Sequence, residues 1–229
     1  MGNEIVFSVL LKYLGFLIAI TMYQAATAIM AKRRGDKSSE TIAMATMNPF
    51  IHMEPIGTVI LPLITIAFST YGGQSSLISG IIIGWPKAYT ISTRYFKNVK
   101  KDTNITYLAG IASCFIISLI CMIAYHFLIQ NISSPIILSS QPMDTSYILS
   151  LMVSSIGYQC MIFGALFLWP IPGFAGWNLL INNLSYNAAM KVQNQAQMIY
   201  IAAIIILMSG IANIYFYPFV LLYRYGMSL

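Results

Sequence analysis

Long apolar runs separated by short polar stretches set the pattern of this chain. The first run extends from about Ile5 to Ala31 and is broken only by Lys12. A helix needs about 20 apolar residues to cross the hydrocarbon core of a bilayer, so this run predicts a transmembrane helix. It is too long for a signal peptide, and Lys32-Arg33-Arg34 follows without a small-residue cleavage site, so the helix is expected to be retained. Further spans are predicted at about Ile56–Tyr71, Ile105–Ile129, Tyr147–Trp169 and Met198–Leu222. Leu77–Trp85 is apolar but too short to cross, and reads as a re-entrant or half-membrane segment buried in protein. Pro170-Ile171-Pro172-Gly173 breaks the helix after the fourth span, and a half-apolar stretch, Phe174–Met190, follows. The predicted fold class is all-α: a polytopic membrane protein of about five transmembrane helices plus re-entrant segments. It reads as a single membrane-embedded domain over 1–229, with no repeat and no soluble module.

Composition agrees with the pattern. The chain has 229 residues, of which 58% are hydrophobic and only 8% charged, against roughly a quarter charged in soluble domains. A soluble or disordered chain is excluded on that ground. Twelve Lys and Arg against six Asp and Glu give a net charge of +6. In this setting the positives read as flanks of membrane spans rather than as a nucleic-acid surface. The stretches 32–37 and 87–101 hold most of them, and 130–146 has none, so the two basic loops are expected on the cytoplasmic side and 130–146 opposite. Which membrane holds the chain is not legible. Of three N-x-[ST] sequons, Asn104, Asn131 and Asn183, only Asn131 falls on the expected outer side.

No acid sits mid-span: Glu4, Asp36, Glu40, Glu54, Asp102 and Asp144 all lie at span ends or in loops. Intramembrane carboxylates mark proton and ion paths, so a proton-coupled transporter is disfavoured. His126 reads as a hydrogen-bonded residue near the outer end of its span, and His52 sits beside Glu54 in a loop. Cys114, Cys121 and Cys160 lie in apolar runs without C-x-x-C spacing and read as small buried hydrophobes.

Five segments, in order, resemble the site-2 protease family of intramembrane zinc metalloproteases. Asn48-Pro49-Phe50-Ile51-His52-Met53-Glu54-Pro55-Ile56-Gly57-Thr58 is similar to the family's N-P-x-x-H-[ILM]-[DE]-P-I-G-T stretch. Gly84-Trp85-Pro86-Lys87, followed by Arg94, Phe96, Asn98, Lys100, Lys101 and Asp102, resembles its G-W-A-K segment and basic loop. Leu108-Ala109-Gly110 resembles L-A-G-P-x-x-N, Pro170-Ile171-Pro172 with Gly176 resembles P-I-P-P-L-D-G, and Gly35-Asp36 resembles the G-D after the first catalytic helix. The resemblance covers about residues 20–190, with the 198–222 helix beyond it.

The departures fall on the chemistry. In the family, H-E-x-x-H places two histidines at i and i+4 to bind zinc, with the glutamate as general base. Counting back from Asp36 puts Tyr23, Gln24 and Thr27 at those positions, and the aspartate ligand of P-L-D-G becomes Ala175. The substrate-holding Asn becomes Cys114, and the Pro before it Ile111. No serine has an intramembrane His–acid partner, and no pair of membrane carboxylates is present. The sequence therefore leads to the expectation of a non-enzyme, a site-2-protease-like scaffold or subunit with no catalytic residue, no bound metal and no cofactor. Tyr23, Gln24 and Thr27 are expected to form a self-satisfied hydrogen-bond cluster. Asn48, Pro49, His52, Gly84, Trp85 and Cys114 are expected to frame a groove that binds a transmembrane peptide by strand addition, or to preserve the fold alone. The partners expected are membrane lipid and other membrane proteins, a transmembrane helix or peptide among them, and no nucleic acid. Two rival readings are an active intramembrane zinc metalloprotease with an unusual site, and a small permease or accessory subunit of a membrane complex.

Overall fold

The structure is a computed structural model that describes residues 2–71, 82, 84–130 and 145–228. Three helices form its centre: α1 (Gly2–Arg34), α5 (Val99–Gln130) and α6 (Thr145–Leu168). Between α1 and α5 lie the short α2 (Ser39–Met44) and α3 (Pro49–His52), a π-helix (Pro55–Ile60) and α4 (Leu61–Tyr71). After α6 come α7 (Ala175–Asn183), α8 (Tyr186–Asn194), α9 (Ala196–Met208) and α10 (Ala212–Ser228). The described residues contain no strand. The protein is an all-α membrane protein.

Among the described residues, three helices, or four if the bent pair counts as one span, are long and apolar enough to cross, against about five expected. The three are Val9–Arg34, Val99–Gln130 and Thr145–Leu168. The last predicted span, Met198–Leu222, is two helices bent by 63° around Ser209–Gly210–Ile211, where Gly210 takes a φ of 79° that side-chain-bearing residues avoid. The second predicted span, Ile56–Tyr71, begins as a π-helix, and among the described residues its apolar helical part, Pro55–Ile66, is shorter than a crossing helix needs. Pro55 opens the π-helix, where its missing N–H costs no rung, and Pro62, just after it, lacks the N–H that an ordinary α-ladder would use. Glu54 caps it, accepting from the Gly57 N–H at 2.6 Å. The predicted re-entrant segment 77–85, loop 130–146 and Asn131 lie wholly or mostly outside the described residues.

Small residues let the central helices approach. Gly15 of α1 packs against Ser155 and Ile156 of α6, and a Cβ on Gly110 of α5 would collide with Thr27 Oγ1 of α1. The core gathers Phe16, Ile20 and Tyr23 from α1, Ile111 and Cys114 from α5, Ile162, Phe163 and Phe167 from α6, Ala175 and Phe216. Helix α10 runs antiparallel to α6, because Tyr215 Oη donates to Ala165 O and Tyr223 Oη to Ser154 O.

The two basic stretches meet at one end of the bundle. The Ser92 N–H donates to Asp36 Oδ2 at 2.8 Å, and Arg34 pairs with Asp102 at 3.3 Å. Asp102 also accepts from the Asn98 N–H while Asn98 Oδ1 accepts from the Lys101 N–H, a reciprocal cap that starts α5. Asn104 and Asn183, two of the sequon residues, belong to an amide cluster with Asn182 that clamps α7 onto α5.

Candidate functional site

A cavity of about 300 Å³ opens beside the middle of α1. Tyr23, Gln24 and Thr27 line it on one side, as positions i and i+4 on one helix face must. Trp85, Pro86, Ala88, Tyr89 and Ile91 form the second wall, Tyr107 of α5 and Phe167 of α6 the floor, and Pro172, Gly173 and Phe174 the turn that closes it. All three α1 side chains are buried. Tyr23 stacks on Phe167 with ring centroids 3.8 Å apart and planes at 15°.

The expected self-satisfied trio does not form. Thr27 Oγ1 donates to the Tyr23 backbone carbonyl at 2.7 Å, one turn back. Gln24 reaches away from both, its Nε2 donating to Lys87 O and its Oε1 meeting His52 Nδ1 at 2.9 Å. The Tyr23 side chain makes no hydrogen bond among the described residues. Long-range partners displace the local ones because the polar loops run directly along α1.

His52 is fully buried, with Nε2 at 2.8 Å from Thr46 O and Nδ1 on Gln24. Burial lowers its pKa and outweighs the Thr46 carbonyl, which raises it, so the ring is held neutral. A neutral ring has one N–H, so it donates to one of these two acceptor oxygens, Thr46 O or Gln24 Oε1, and not to both. Asp36 is likewise buried. Burial would raise its carboxyl, but bonds from Thr41 Oγ1 at 2.7 Å and from the Ser38 and Ser92 N–H groups outweigh it and hold the pKa below the usual range.

The second wall is an extended segment held straight by its contacts. Gly84 meets Phe16. Lys87 O accepts from Gln24, and Ser92 N–H binds Asp36. From Phe16 to Arg34, where α1 ends just before Asp36, the helix advances about 27 Å. From Gly84 to Ser92 a strand-like chain reaches about 27 Å. Residues 84–92 must therefore be almost fully stretched. On one edge the Trp85 N–H donates to Gly57 O at 3.1 Å and the Lys87 N–H to His52 O at 2.9 Å, while Thr58 Oγ1 donates to Trp85 O. On the other edge the Pro86 carbonyl and the Ala88 N–H and C=O make no hydrogen bond among the described residues. Tyr89 Oη, on the cavity wall, is buried without a hydrogen-bond partner among the described residues. Burial, then Tyr107, Asp36 and Glu40, raise its pKa, so it stays a neutral donor.

Of the groove residues expected from sequence, Trp85 alone lines the cavity, with His52 directly behind Gln24. Asn48 caps α3 through its Oδ1 on the Phe50 N–H, and Pro49 opens that helix. Gly84 is packed against Phe16 and Gly57 O. Cys114 is buried in the α1–α5 contact, its Sγ 3.7 Å from Ala19 O. Ala175 is the buried first residue of α7, next to the lining residue Phe174. Sequence reasoning missed Tyr89, Tyr107, Phe167 and Asn178 as lining residues. Tyr107 had a signal: it lies one turn before Gly110, on the face of α5 that meets α1.

These residues do not fit zinc. It takes three protein ligands from Cys, His, Asp or Glu and an open position. Tyr23, Gln24, Thr27 and Ala175 supply two hydroxyls, an amide committed to His52 and Lys87, and a methyl. Among the described residues no three His, Cys, Asp or Glu side chains come together for a metal.

Comparison with known proteins gives one relative. The protein named "Putative zinc metalloprotease YwhC" from Bacillus subtilis (strain 168) is 25% identical over 104 residues. The match spans 45% of this chain and 40% of that protein. No family model matches the chain, and no solved structure matches it. The relative's name corrects the expectation of a non-enzyme. That expectation rested on four substituted positions, whereas the named similarity points to an enzyme class, zinc metalloproteases. What the comparison supports is therefore a membrane protein with a distant likeness to a zinc metalloprotease over about half its length.

Proposed function

We propose that this is a site-2-protease-like membrane protein whose cavity receives an extended peptide, such as a transmembrane segment of another membrane protein, by strand addition to residues 86–88. The observation that carries the reading is the open edge at residues 86–88: Trp85 and Lys87 are hydrogen-bonded on the opposite edge, Thr90 and Ser92 further along donate to Glu40 and Asp36, and Pro86 and Ala88 between them make no backbone hydrogen bond among the described residues. One edge is consumed by the 52–58 loop, and the other presents the Pro86 carbonyl and the Ala88 N–H and C=O beside the cavity. An extended peptide satisfies such an edge through its own backbone, and the aromatic walls take its side chains. Tyr89 Oη adds a buried donor for a peptide carbonyl. We also propose that Tyr23, Gln24, Thr27 and Ala175 hold no zinc, and that the end carrying both basic stretches faces the cytoplasm.

Photo-crosslinking tests the peptide reading. A photoreactive amino acid at Ala88 should capture a hydrophobic peptide in bilayer nanodiscs, whereas one at the exposed Ile116 of α5 should capture lipid. Equal peptide capture at both positions sinks it. Ala88→Pro removes the N–H and should weaken peptide binding about tenfold.

Similarity to a zinc metalloprotease favours a second reading, in which the bound segment is cut. Incubating the full chain in nanodiscs with a transmembrane peptide, with and without added zinc, and sequencing the products by mass spectrometry decides between binding alone and proteolysis.

A further inference from the structure

A second pocket, of about 410 Å³, lies between α1, α6 and α10 at the end of the bundle away from the basic loops. Its place follows from the packing. Tyr223 Oη binds Ser154 O, and the His126 ring binds Gly226 O at 2.7 Å, so the last turns of α10 sit against the start of α6 and the end of α5. Lys12, the one charge that breaks the first apolar run, lines this pocket together with Arg224. Among the described residues neither has an acidic partner or a hydrogen bond, and none of the described lining residues is a carboxylate. Ser155 and Tyr158 hydroxyls line it too and are equally uncommitted among the described residues. By contrast Arg34, at the other end, is paired with Asp102.

Two unpaired cations flanked by two free hydroxyl donors suit a compact anion with several oxygens. Lys12 is half-buried on α1 and Arg224 is exposed on α10, and cations at membrane depth carry a free-energy penalty unless an anion or the interface compensates them. Within one helical turn of the two cations, Leu10, Leu14, Leu221 and Leu222 are exposed, as acyl-chain contacts would be. We infer that this pocket binds the phosphodiester headgroup of an anionic phospholipid, with Lys12 and Arg224 on the phosphate oxygens. Basic pockets between transmembrane helices recognise such headgroups by charge and shape together. The site is separate from the cavity beside Tyr23, so its fate is independent of the peptide reading.

The experiment uses the full chain, delipidated in neutral detergent and followed by thermal unfolding. Phosphatidylglycerol should raise the unfolding midpoint. Phosphatidylcholine and inorganic phosphate at equal concentration should not. The Lys12→Gln, Arg224→Gln double variant should bind phosphatidylglycerol at least about tenfold more weakly, while Lys97→Gln, in the distant basic loop, should bind as the parent does. Equal stabilisation by phosphatidylcholine, or an unchanged response of the double variant, overturns the proposal. Inorganic phosphate matching the lipid overturns the lipid assignment and makes the site one for a soluble anion. Should the double variant not fold, native mass spectrometry of the parent protein decides: preferential retention of one phosphatidylglycerol supports the site, and indifference between the two lipids overturns it.

Discussion

The two polar ends of this bundle are built on opposite terms. At the end that holds the basic loops, buried polar side chains are matched one by one: Asp36 by three donors, His52 by Gln24 and Thr46, Asp102 by Arg34 and the Asn98 N–H. At the other end Lys12 and Arg224 face a shared pocket without a partner among the described residues. The first region is fixed architecture, in which losing one member orphans the others. The second is unfinished, and its charges matter only when something fills the pocket. The difference should show as large stability effects at one end and ligand-dependent ones at the other.

Asp36→Asn should give the largest loss. The buried carboxylate accepts from Thr41, Ser38 and Ser92, and the substitution leaves charge-assisted bonds weakened and one donor facing donors, costing about 3 kcal/mol. Denaturant unfolding in detergent measures it. The same group sets an acid limit. Its folded pKa lies below the unfolded value, so its contribution is complete above the unfolded pKa and is lost as pH falls through the folded one. The parent should therefore lose stability below about pH 4, and the variant should lose less. An Asp36→Asn protein as stable as the parent would erase the contrast between the two ends.

Next in size is the helix contact under the cavity. Gly110→Ala places a methyl on Thr27 Oγ1 and should cost about 1–3 kcal/mol by forcing α1 from α5. Thr27→Ala should recover part of that loss, because it removes the atom struck. A double-mutant cycle with no coupling would show that the helices do not meet at this point.

How much of this was legible follows from range. The spans at 5–31, 105–129 and 147–169 were readable because each is a long apolar run, and length alone decides a crossing helix. The kink at Ser209–Gly210 was hidden, since two small residues within an apolar run change no average. The π-helix was hidden too, because Pro62 reads as one more apolar residue when only hydropathy is weighed. At the site, the face shared by Tyr23, Gln24 and Thr27 came from periodicity, but the partners of Gln24 did not. His52 and Lys87 lie 28 and 63 residues away in sequence, and only the fold brings them together. The resemblance grouped Ala175 with Tyr23, Gln24 and Thr27 as the former ligand and base positions, and the cavity has Pro172, Gly173 and Phe174, just before Ala175, opposite that face.

His52 sharpens the comparison in a smaller, pH-dependent way. Burial lowers its pKa, so the unfolded chain takes up a proton before the folded one does. Stability is then full above the unfolded value of about 6.5 and falls as pH drops through the folded pKa. His52→Gln should flatten the stability profile below about pH 6.5. If the profile keeps its slope, another group carries it.

The smallest effects separate the two ends most cleanly. Arg34 is 37% exposed on its side chain, and its pair with Asp102 is 3.3 Å long. Such a pair is worth about 0–1 kcal/mol, so Arg34→Gln should cost less than the loss at Asp36 even though both belong to the matched end. Lys12→Gln with Arg224→Gln should change stability in neutral detergent by no more than about 0.5 kcal/mol, because no interaction among the described residues is removed. Relief of repulsion between two cations on one pocket even favours a small gain. The informative quantity is thus the difference between two baths. In neutral detergent the Arg34 variant should be the less stable, and in phosphatidylglycerol the order should reverse, because only the Lys12 and Arg224 variant forgoes the lipid. Unchanged order in both baths would mean that Lys12 and Arg224 are merely solvated, and that the two ends differ in partners but not in purpose.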